Sequence, residues 1–196
     1  MKKTLFIVLF LSLSLTSCRK IISSVGSLGI EKLSSEDYKA VATNDDYRLD
    51  IPKYLKEMKA LHDEASFEYA NIYKEVYVVV LDESKQKFIS LFQELEMYDE
   101  SKTPLENYAD FQMKSIKESL VNSRNNIVPI KIKNLSTKHY ELHGILVPDG
   151  IEIGYLLGFI ESNQKMYMVM TWTLKERYQK YENTMKTIQK SFTLIN

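Results

Sequence analysis

Apolar and polar residues recur with regular spacing over most of the chain from residue 47 onwards. The segment YRLDIP (47–52) predicts a strand that ends at Pro52, and residues 67–72 and 75–81 predict two more strands. In the last of these, VYVVVL places β-branched and aromatic residues at consecutive positions, which is typical of a strand buried on both faces. The chain from residue 47 to 81 is therefore predicted to be mostly sheet.

Two helices are predicted next. Ser84 suits an N-cap, and four apolar residues follow at helical spacing: Phe88, Leu91, Phe92 and Leu95. Pro104 suits the first turn of a second helix, whose inward face would comprise Leu105, Tyr108, Ala109, Gln112, Met113, Ile116 and Leu120. The polar segment 122–126 is predicted to break this helix.

The remaining chain predicts a meander of four strands and a final helix. The strands are predicted over residues 127–132, 138–147, 151–161 and 165–174, with Pro148-Asp149-Gly150 as a strong turn signal. The last strand alternates Met166, Met168, Met170 and Trp172 with Tyr167, Val169 and Thr171, so both of its faces are largely apolar. The helix 175–191 would turn Tyr178, Tyr181, Met185 and Ile188 inward.

This order of elements predicts an α+β fold. Because both faces of the last strand are apolar, we expect an antiparallel sheet covered by helices on both faces, an α/β/α sandwich.

The N-terminal residues follow a different pattern. Lys2 and Lys3 precede LFIVLFLSLSL (5–15), a run with the length of a secretory signal and too short for a membrane-spanning helix. The run ends in Leu15-Thr16-Ser17-Cys18, which resembles the bacterial lipobox. The resemblance implies that residues 1–17 are removed as a lipoprotein signal peptide and that Cys18 carries acyl chains such as palmitate. The alternative is an ordinary signal peptide with Cys18 present by chance.

Cys18 is the only cysteine in the chain. A thiolate is the nucleophile that thioether formation requires, and acylation removes the reactive thiol that an exported protein would otherwise expose. Two or three acyl chains anchor a protein stably, at about 0.8 kcal/mol per buried CH₂. Cys18 is therefore the predicted lipidation site, and no intrachain disulfide can form.

Residues 18–43 are rich in Ser and Gly, and we interpret them as a flexible tether after the lipidated cysteine. A short helix near residues 34–41 is the alternative. Residues 44–196 are predicted to form one folded domain, which begins at Tyr47.

The charge of the chain argues against nucleic acid as a partner. The full chain has 26 basic and 26 acidic side chains, and loss of Lys2 and Lys3 would leave a small acidic excess. An exported domain with this balance has no basic footprint for nucleic acid.

From Tyr47 to the end, about 150 residues, the pattern resembles the PsbP-like family. The likeness is carried by YRLDIP, by ASFEYANIYKEVYVVVLDESKQKF (65–88) and by MYMVMTWTLKERYQKYENTMKTIQKSF (166–192). The family includes a photosystem II subunit, a Ran-binding protein and many bacterial lipoproteins of unknown role. The resemblance implies the α/β/α fold and supplies no catalytic residue, because a fold of this kind does not fix function.

The best candidate cluster is HYELH (139–143), because His139, Glu141 and His143 point to one face of a strand. They are weak candidates for metal ligands, since His139 and His143 would lie about 13 Å apart along a flat strand. The favoured interpretation is a solvated polar face. Two further groups, His62-Asp63-Glu64 and Asp82-Glu83-Ser84, are interpreted as a turn and as a helix start.

These patterns predict a non-enzymatic, membrane-anchored lipoprotein of the bacterial cell envelope that uses no cofactor and binds another envelope component. The sequence has no phosphate loop, dinucleotide-binding glycine pattern, H-E-x-x-H or C-x-x-C motif. The alternative is a carrier of a small ligand or metal that uses the His139/Glu141/His143 face, and a hydrolase is the least favoured class. Arg19, rather than Asp, follows Cys18, which slightly favours the outer membrane, with the domain facing the periplasm.

Overall fold

The computed structural model describes residues 29–195 apart from residues 44, 45 and 60. Ten strands and three α-helices follow one another in this part of the chain. The strands are β1 (Tyr38–Thr43), β2 (Tyr47–Pro52), β3 (Lys56–Glu57), β4 (Ala65–Asn71), β5 (Val76–Ser84), β6 (Leu120–Ile127), β7 (Ser136–Leu146), β8 (Glu152–Glu161), β9 (Lys165–Leu174) and β10 (Thr193–Leu194). The helices are α1 (Lys85–Glu94), α2 (Pro104–Glu118) and α3 (Lys175–Lys190).

Seven strands form the main sheet, in the order β3-β4-β5-β9-β8-β7-β6, and every described pair in it is antiparallel. Strands β6, β7, β8 and β9 are neighbours in chain order and form a meander. Its last three strands are the predicted ones, whereas its first strand lies earlier in the chain than predicted. Strand β9 matches its predicted range. It lies between β5 and β8, and this central position explains why both of its faces are apolar.

Helices cover both faces of the sheet, so the predicted α/β/α arrangement is confirmed. On one face, Phe88 and Phe92 of α1 and Tyr108 of α2 pack with Met166 and Met168 of β9. On the other face lie α3 and a small sheet in the order β1-β2-β10. There the inward residues of β9, Tyr167 and Val169, pack with Tyr181 and Ile188 of α3.

The starts of α1 and α2 follow the sequence signals. The Ser84 hydroxyl accepts a hydrogen bond from the Lys87 amide. Thr103 precedes Pro104 and forms a reciprocal capping box with Glu106. Of the four apolar residues at helical spacing, Phe88 and Phe92 are buried, while Leu91 and Leu95 are exposed.

The predicted tether extends too far along the chain. Residues 35–37 form a 3₁₀ helix, and residues 38–43 form β1, which pairs with β2 from Tyr38↔Pro52 to Thr43↔Tyr47. The composition of this segment did not indicate a strand, because β1 is held by backbone hydrogen bonds to β2 and not by an apolar pattern of its own. The alternative of a helix near residues 34–41 is also wrong beyond the single 3₁₀ turn.

The region after α2 is a second correction. Residues 122–126 were predicted to break a helix and residues 127–132 to form a strand, whereas β6 covers Leu120–Ile127 and the sheet ends there. Strand β6 is an edge strand with a register shift between Val121 and Arg124, so its polar residues face solvent. The apolar residues Ile130 and Ile132, which suggested a strand, are buried but lie outside the sheet.

Candidate functional site

The three predicted site residues lie on β7 and share one face of the sheet, as the alternation indicated. In the antiparallel register with β8, His139 lies opposite Gly158 and His143 lies opposite Gly154. An ideal Cβ at Gly158 would lie 2.8 Å from His139 Nε2, and one at Gly154 would lie 2.8 Å from His143 Nδ1. The two imidazoles therefore occupy space that only glycine leaves open on the neighbouring strand.

This face is not solvated, and that interpretation is corrected. Helix α3 covers it, and only 2% of His139 is exposed. The His143 ring packs edge-on against the Tyr178 ring of α3 with centroids 4.5 Å apart. Since both histidines lie over glycines, the polar side chains fit between sheet and helix.

Burial controls the ionisation of His139. Its imidazole is desolvated, which lowers its pKa to about 4, and the nearby Ile130 backbone offsets this effect only in part. Neither ring nitrogen has a hydrogen-bond partner of good geometry among the described residues. His139 is therefore neutral at physiological pH.

His143 and Glu141 form the one polar pair that the sequence cluster predicted. His143 Nε2 is hydrogen-bonded to Glu141 Oε1. Tyr178 lies beside them, and its pKa is raised first by burial and then by the charges of Glu141 and Glu182. The pair is partly buried, and it lies at one end of the layer between β7 and α3.

Sequence reasoning missed Gln189, which completes this layer. It is fully buried on α3, and its Nε2 donates to the carbonyl oxygens of Leu156 (3.0 Å) and Val169 (2.9 Å). An ideal Cβ at Gly158 would clash with Gln189 Oε1, so this oxygen and His139 Nε2 lie over the same glycine. The available signal was its position four residues after Met185, on the inward stripe of α3.

The arrangement does not form a metal centre. Within residues 29–195, leaving out the three undescribed positions, no group of three or more His, Cys, Asp or Glu side chains could hold a metal ion. The strand geometry explains this, because His139 and His143 cover different glycines along β8 and His143 Nε2 already contacts Glu141.

The other acidic groups have structural roles. Glu64 N donates to His62 Nδ1, and His62 N donates to Glu68 Oε1, as expected for a turn. Asp82 forms an ion pair with Lys165 at 2.7 Å. Cys18, the predicted lipidation site, lies outside the described residues.

A cleft of about 640 Å³ opens at one end of the main sheet, away from the histidines. It lies between the loop before β7, the β8–β9 turn and the C-terminal segment. Its lining consists of Lys85, Ile132, Lys133, Asn134, Leu135, Ser136, Glu161, Ser162, Asn163, Lys190, Phe192, Thr193 and Leu194. Sequence reasoning missed the cleft because these residues come from separate segments that only the fold brings together.

Apolar and basic residues line different parts of the cleft. Ile132 and Phe192 are buried, while Lys133 and Lys190 are exposed and form no ion pair with any described residue. Lys85 is paired with Glu161. The cleft therefore offers an apolar floor with a net positive rim.

In the described part of the chain, no helix combines the length and apolar character needed to cross a membrane.

Comparisons with known proteins address the fold alone. No family model matches the sequence, and a search of curated proteins finds no match. Among solved structures, cyanobacterial PsbP (CyanoP) from Synechocystis sp. PCC 6803 is 13% identical, with a TM-score of 0.52 over 85% of this chain and 97% of that protein.

Two other structures give lower scores. A protein of unknown function from Pseudomonas aeruginosa is 13% identical, with a TM-score of 0.45 over 76% of this chain and 91% of that one. LpqN, involved in cell envelope biogenesis of Mycobacterium tuberculosis, is 8% identical, with a TM-score of 0.49 over 81% of this chain and 91% of that one. The match to CyanoP, together with the antiparallel sheet between two helical layers, shows that the domain has the PsbP-like fold.

Proposed function

We propose that the protein is a lipid-anchored, non-enzymatic binding module of the bacterial cell envelope. The observation that carries the proposal is Leu15-Thr16-Ser17-Cys18 after a basic start and an apolar run of signal-peptide length. Acylation of Cys18 would hold the mature chain on a membrane, with the outer membrane and its periplasmic face slightly favoured.

Replacement of Cys18 tests the anchor. Cys18→Ala should leave an uncleaved precursor that incorporates no labelled palmitate in growing bacteria, because the acylated thiol is gone. The control is Cys18→Ala combined with Ser23→Cys, which restores a thiol outside the motif and should also stay unlabelled. Normal maturation of Cys18→Ala would contradict the proposal.

The cleft is the surface that we propose for binding another envelope component. Its volume of about 640 Å³ falls within the range of about 300–1,000 Å³ typical of small-molecule pockets. The buried apolar floor, formed by Ile132 and Phe192, can accept a side chain or a small apolar group. The layer around His139 supports a structural role instead, because α3 covers it.

Site-specific crosslinking tests this surface. A photoreactive residue at Asn134 or at Asn163, both in the cleft lining, should give the same discrete crosslinked product in intact envelopes. The control position is Glu94, which is exposed on α1 on the other side of the main sheet. A product of equal yield from Glu94 would show that the cleft is not the binding surface.

A further inference from the structure

The two helical layers of the domain differ in charge. Helix α3 and the neighbouring loop 128–135 carry seven basic side chains (Lys131, Lys133, Lys175, Arg177, Lys180, Lys186 and Lys190) and two acidic ones (Glu176 and Glu182). Residues 85–118, which contain α1 and α2, carry five basic side chains (Lys85, Lys87, Lys102, Lys114 and Lys117) and seven acidic ones (Glu94, Glu96, Asp99, Glu100, Glu106, Asp110 and Glu118). Helix α3 with this loop is therefore basic, and the layer of α1 and α2 is acidic.

The loop 128–135 and α3 lie side by side, and we call the surface that they form the basic face. The loop packs beside α3, because Ile130 lies in one buried cluster with Tyr178 and Met185. Lys175, Arg177 and Lys186 are paired with Glu152, Glu75 and Glu182, respectively. Lys131, Lys133 and Lys190 are exposed and pair with no described acidic residue, so their charges are available to a partner.

The N-terminal segment joins the domain on this same side. The Glu31 amide donates to the Lys180 carbonyl at 2.9 Å. The Glu31 carboxylate accepts hydrogen bonds from Thr184 Oγ1 at 2.7 Å and from Tyr54 OH at 2.9 Å, and it pairs with Lys74 at 3.1 Å. Residue 31 is therefore fixed against α3.

The length of chain before this point limits the orientation of the domain. Twelve residues, 19–30, separate Cys18 from Glu31, and a fully extended chain of that length spans at most about 45 Å. A helix, a sheet and a second helix together are roughly 30 Å thick. The segment 19–30 therefore reaches the membrane most directly when α3 faces the membrane. If the opposite layer faced the membrane, most of the length of this segment would be used in passing round the domain.

We propose that the basic face docks on the anionic headgroups of the membrane that holds the lipid anchor, with Lys131, Lys133 and Lys190 as the contacting charges. This inference rests on the proposed function, because the anchor supplies the membrane. A lysine close to an anionic bilayer favours contact about fivefold, which corresponds to about 1 kcal/mol. The acidic layer of α1 and α2 is repelled by the same membrane surface, so charge and attachment point favour one orientation.

Lysine acetylation of the lipidated protein measures this orientation without any substitution. The protein is reconstituted in vesicles of one part phosphatidylglycerol and two parts phosphatidylcholine, and in vesicles of phosphatidylcholine alone. On the anionic vesicles, Lys131, Lys133 and Lys190 should be acetylated at least about fivefold more slowly than on the neutral ones, because each lysine adds its own contribution to contact. Lys87 and Lys114, exposed in the other helical layer, should react at equal rates on both.

High salt supplies a second criterion. Since salt screens exposed charges, the protection should disappear at high ionic strength while the protein remains on the vesicles. Equal acetylation of Lys131, Lys133 and Lys190 on both vesicle types would overturn the proposal. Protection of Lys87 and Lys114 alone would also overturn the docking proposal. In either case, an acidic envelope protein would be the better partner for the basic face.

Charge reversal gives a matched pair of variants. Lys186 lies on α3, within the basic face, so its acetylation should also be slower on anionic vesicles. Lys131→Glu, Lys133→Glu and Lys190→Glu together should abolish this protection of Lys186. The same reversal at Lys87, Lys114 and Lys117 should leave it unchanged. Equal effects of the two variants would contradict docking through the basic face.

Failure of the anchor gives a different result from failure of docking. If Cys18 carries no lipid, the protein does not float with neutral vesicles in a density gradient, whatever its acetylation pattern. If only the docking proposal is wrong, the protein floats with both vesicle types and its lysines react alike on both.

Discussion

His139 shows how the residue across a strand decides the environment of a polar side chain. Its strand alternates polar residues on one face, and such a pattern is typical of a solvated face. Gly158 lies opposite and Gln189 lies above, so the imidazole fits into a space beneath α3. Burial without a charged partner then keeps His139 neutral.

The buried His139 predicts a loss of stability in acid. Its pKa is about 4 in the folded protein and 6.5 for an exposed histidine, so the unfolded chain binds more protons between these values. The stabilising contribution is complete above about pH 6.5 and is lost as the pH falls towards 4, by roughly 3 kcal/mol. Urea unfolding at a series of pH values measures this slope.

His139→Gln isolates this residue from the carboxylates that titrate in the same range. As the pH falls from 6.5 to 4, the free energy of unfolding should decrease less steeply in this variant than in the wild type. His62→Gln, in an exposed loop, is the matched control and should retain the wild-type slope. A His139→Gln slope equal to that of the wild type would show that burial of this imidazole is not the cause.

At the scale of elements, β1 and β6 exist because of their partners. Neither segment shows the apolar alternation of a strand, and each lies at an edge of its sheet. Strand β1 takes its register from β2, and β6 takes its register from β7. The segment before β1 is held by Glu31, whose side chain is only 8% exposed despite its charge.

Loss of the Glu31 carboxylate should loosen this N-terminal segment. Glu31→Ala leaves Tyr54 OH, Thr184 Oγ1 and Lys74 Nζ without their acceptor, and we expect the free energy of unfolding to fall by about 1–3 kcal/mol. Hydrogen exchange at the amides of β1 should accelerate as well.

Glu36→Ala is the control, because Glu36 is exposed in the same segment. That variant should stay within about 0.5 kcal/mol of the wild type. If the two substitutions had the same effect on unfolding and on exchange in β1, Glu31 would not be the residue that holds the segment.

At the scale of the whole molecule, aromatic side chains join the two sheets. The Phe192 ring stacks on the Tyr47 ring of β2 with centroids 5.2 Å apart and meets the Tyr167 ring of β9 at 5.1 Å. Phe192 is 1% exposed and leads into β10, the third strand of the small sheet. The C-terminal segment therefore connects the small sheet to the main core.

Phe192→Ala should destabilise the entire domain. Removal of a fully buried phenyl ring typically costs about 3–5 kcal/mol, and here it leaves a cavity between the two sheets. Thermal or urea unfolding measures the change. Tyr73→Ala, at a position that is 88% exposed, should change stability by less than about 0.5 kcal/mol, and a similar loss in both variants would contradict this role of Phe192.

The candidate sites, like the strands, were predicted where they depend on local spacing and missed where they depend on distant segments. The sequence placed His139, Glu141 and His143 on one strand face correctly, because the two-residue period is local. It did not predict Gly154, Gly158 and Gln189 around them, since these residues come from β8 and α3. The cleft was not predictable from periodicity, because its lining is assembled from segments distant in sequence.

The sequence by itself determined the central strands, the caps of α1 and α2, the inward stripe of α3 and the α/β/α arrangement, because these depend on the local spacing of apolar residues. Tertiary structure decided what depends on distant partners: the edge strands β1 and β6, the burial of His139 and the attachment of Glu31 to α3. Backbone pairing and burial are properties of two segments at once, so neither segment carries that information alone. The basic face is the same kind of feature, since its charges come from α3 and from a loop that only the fold places beside it.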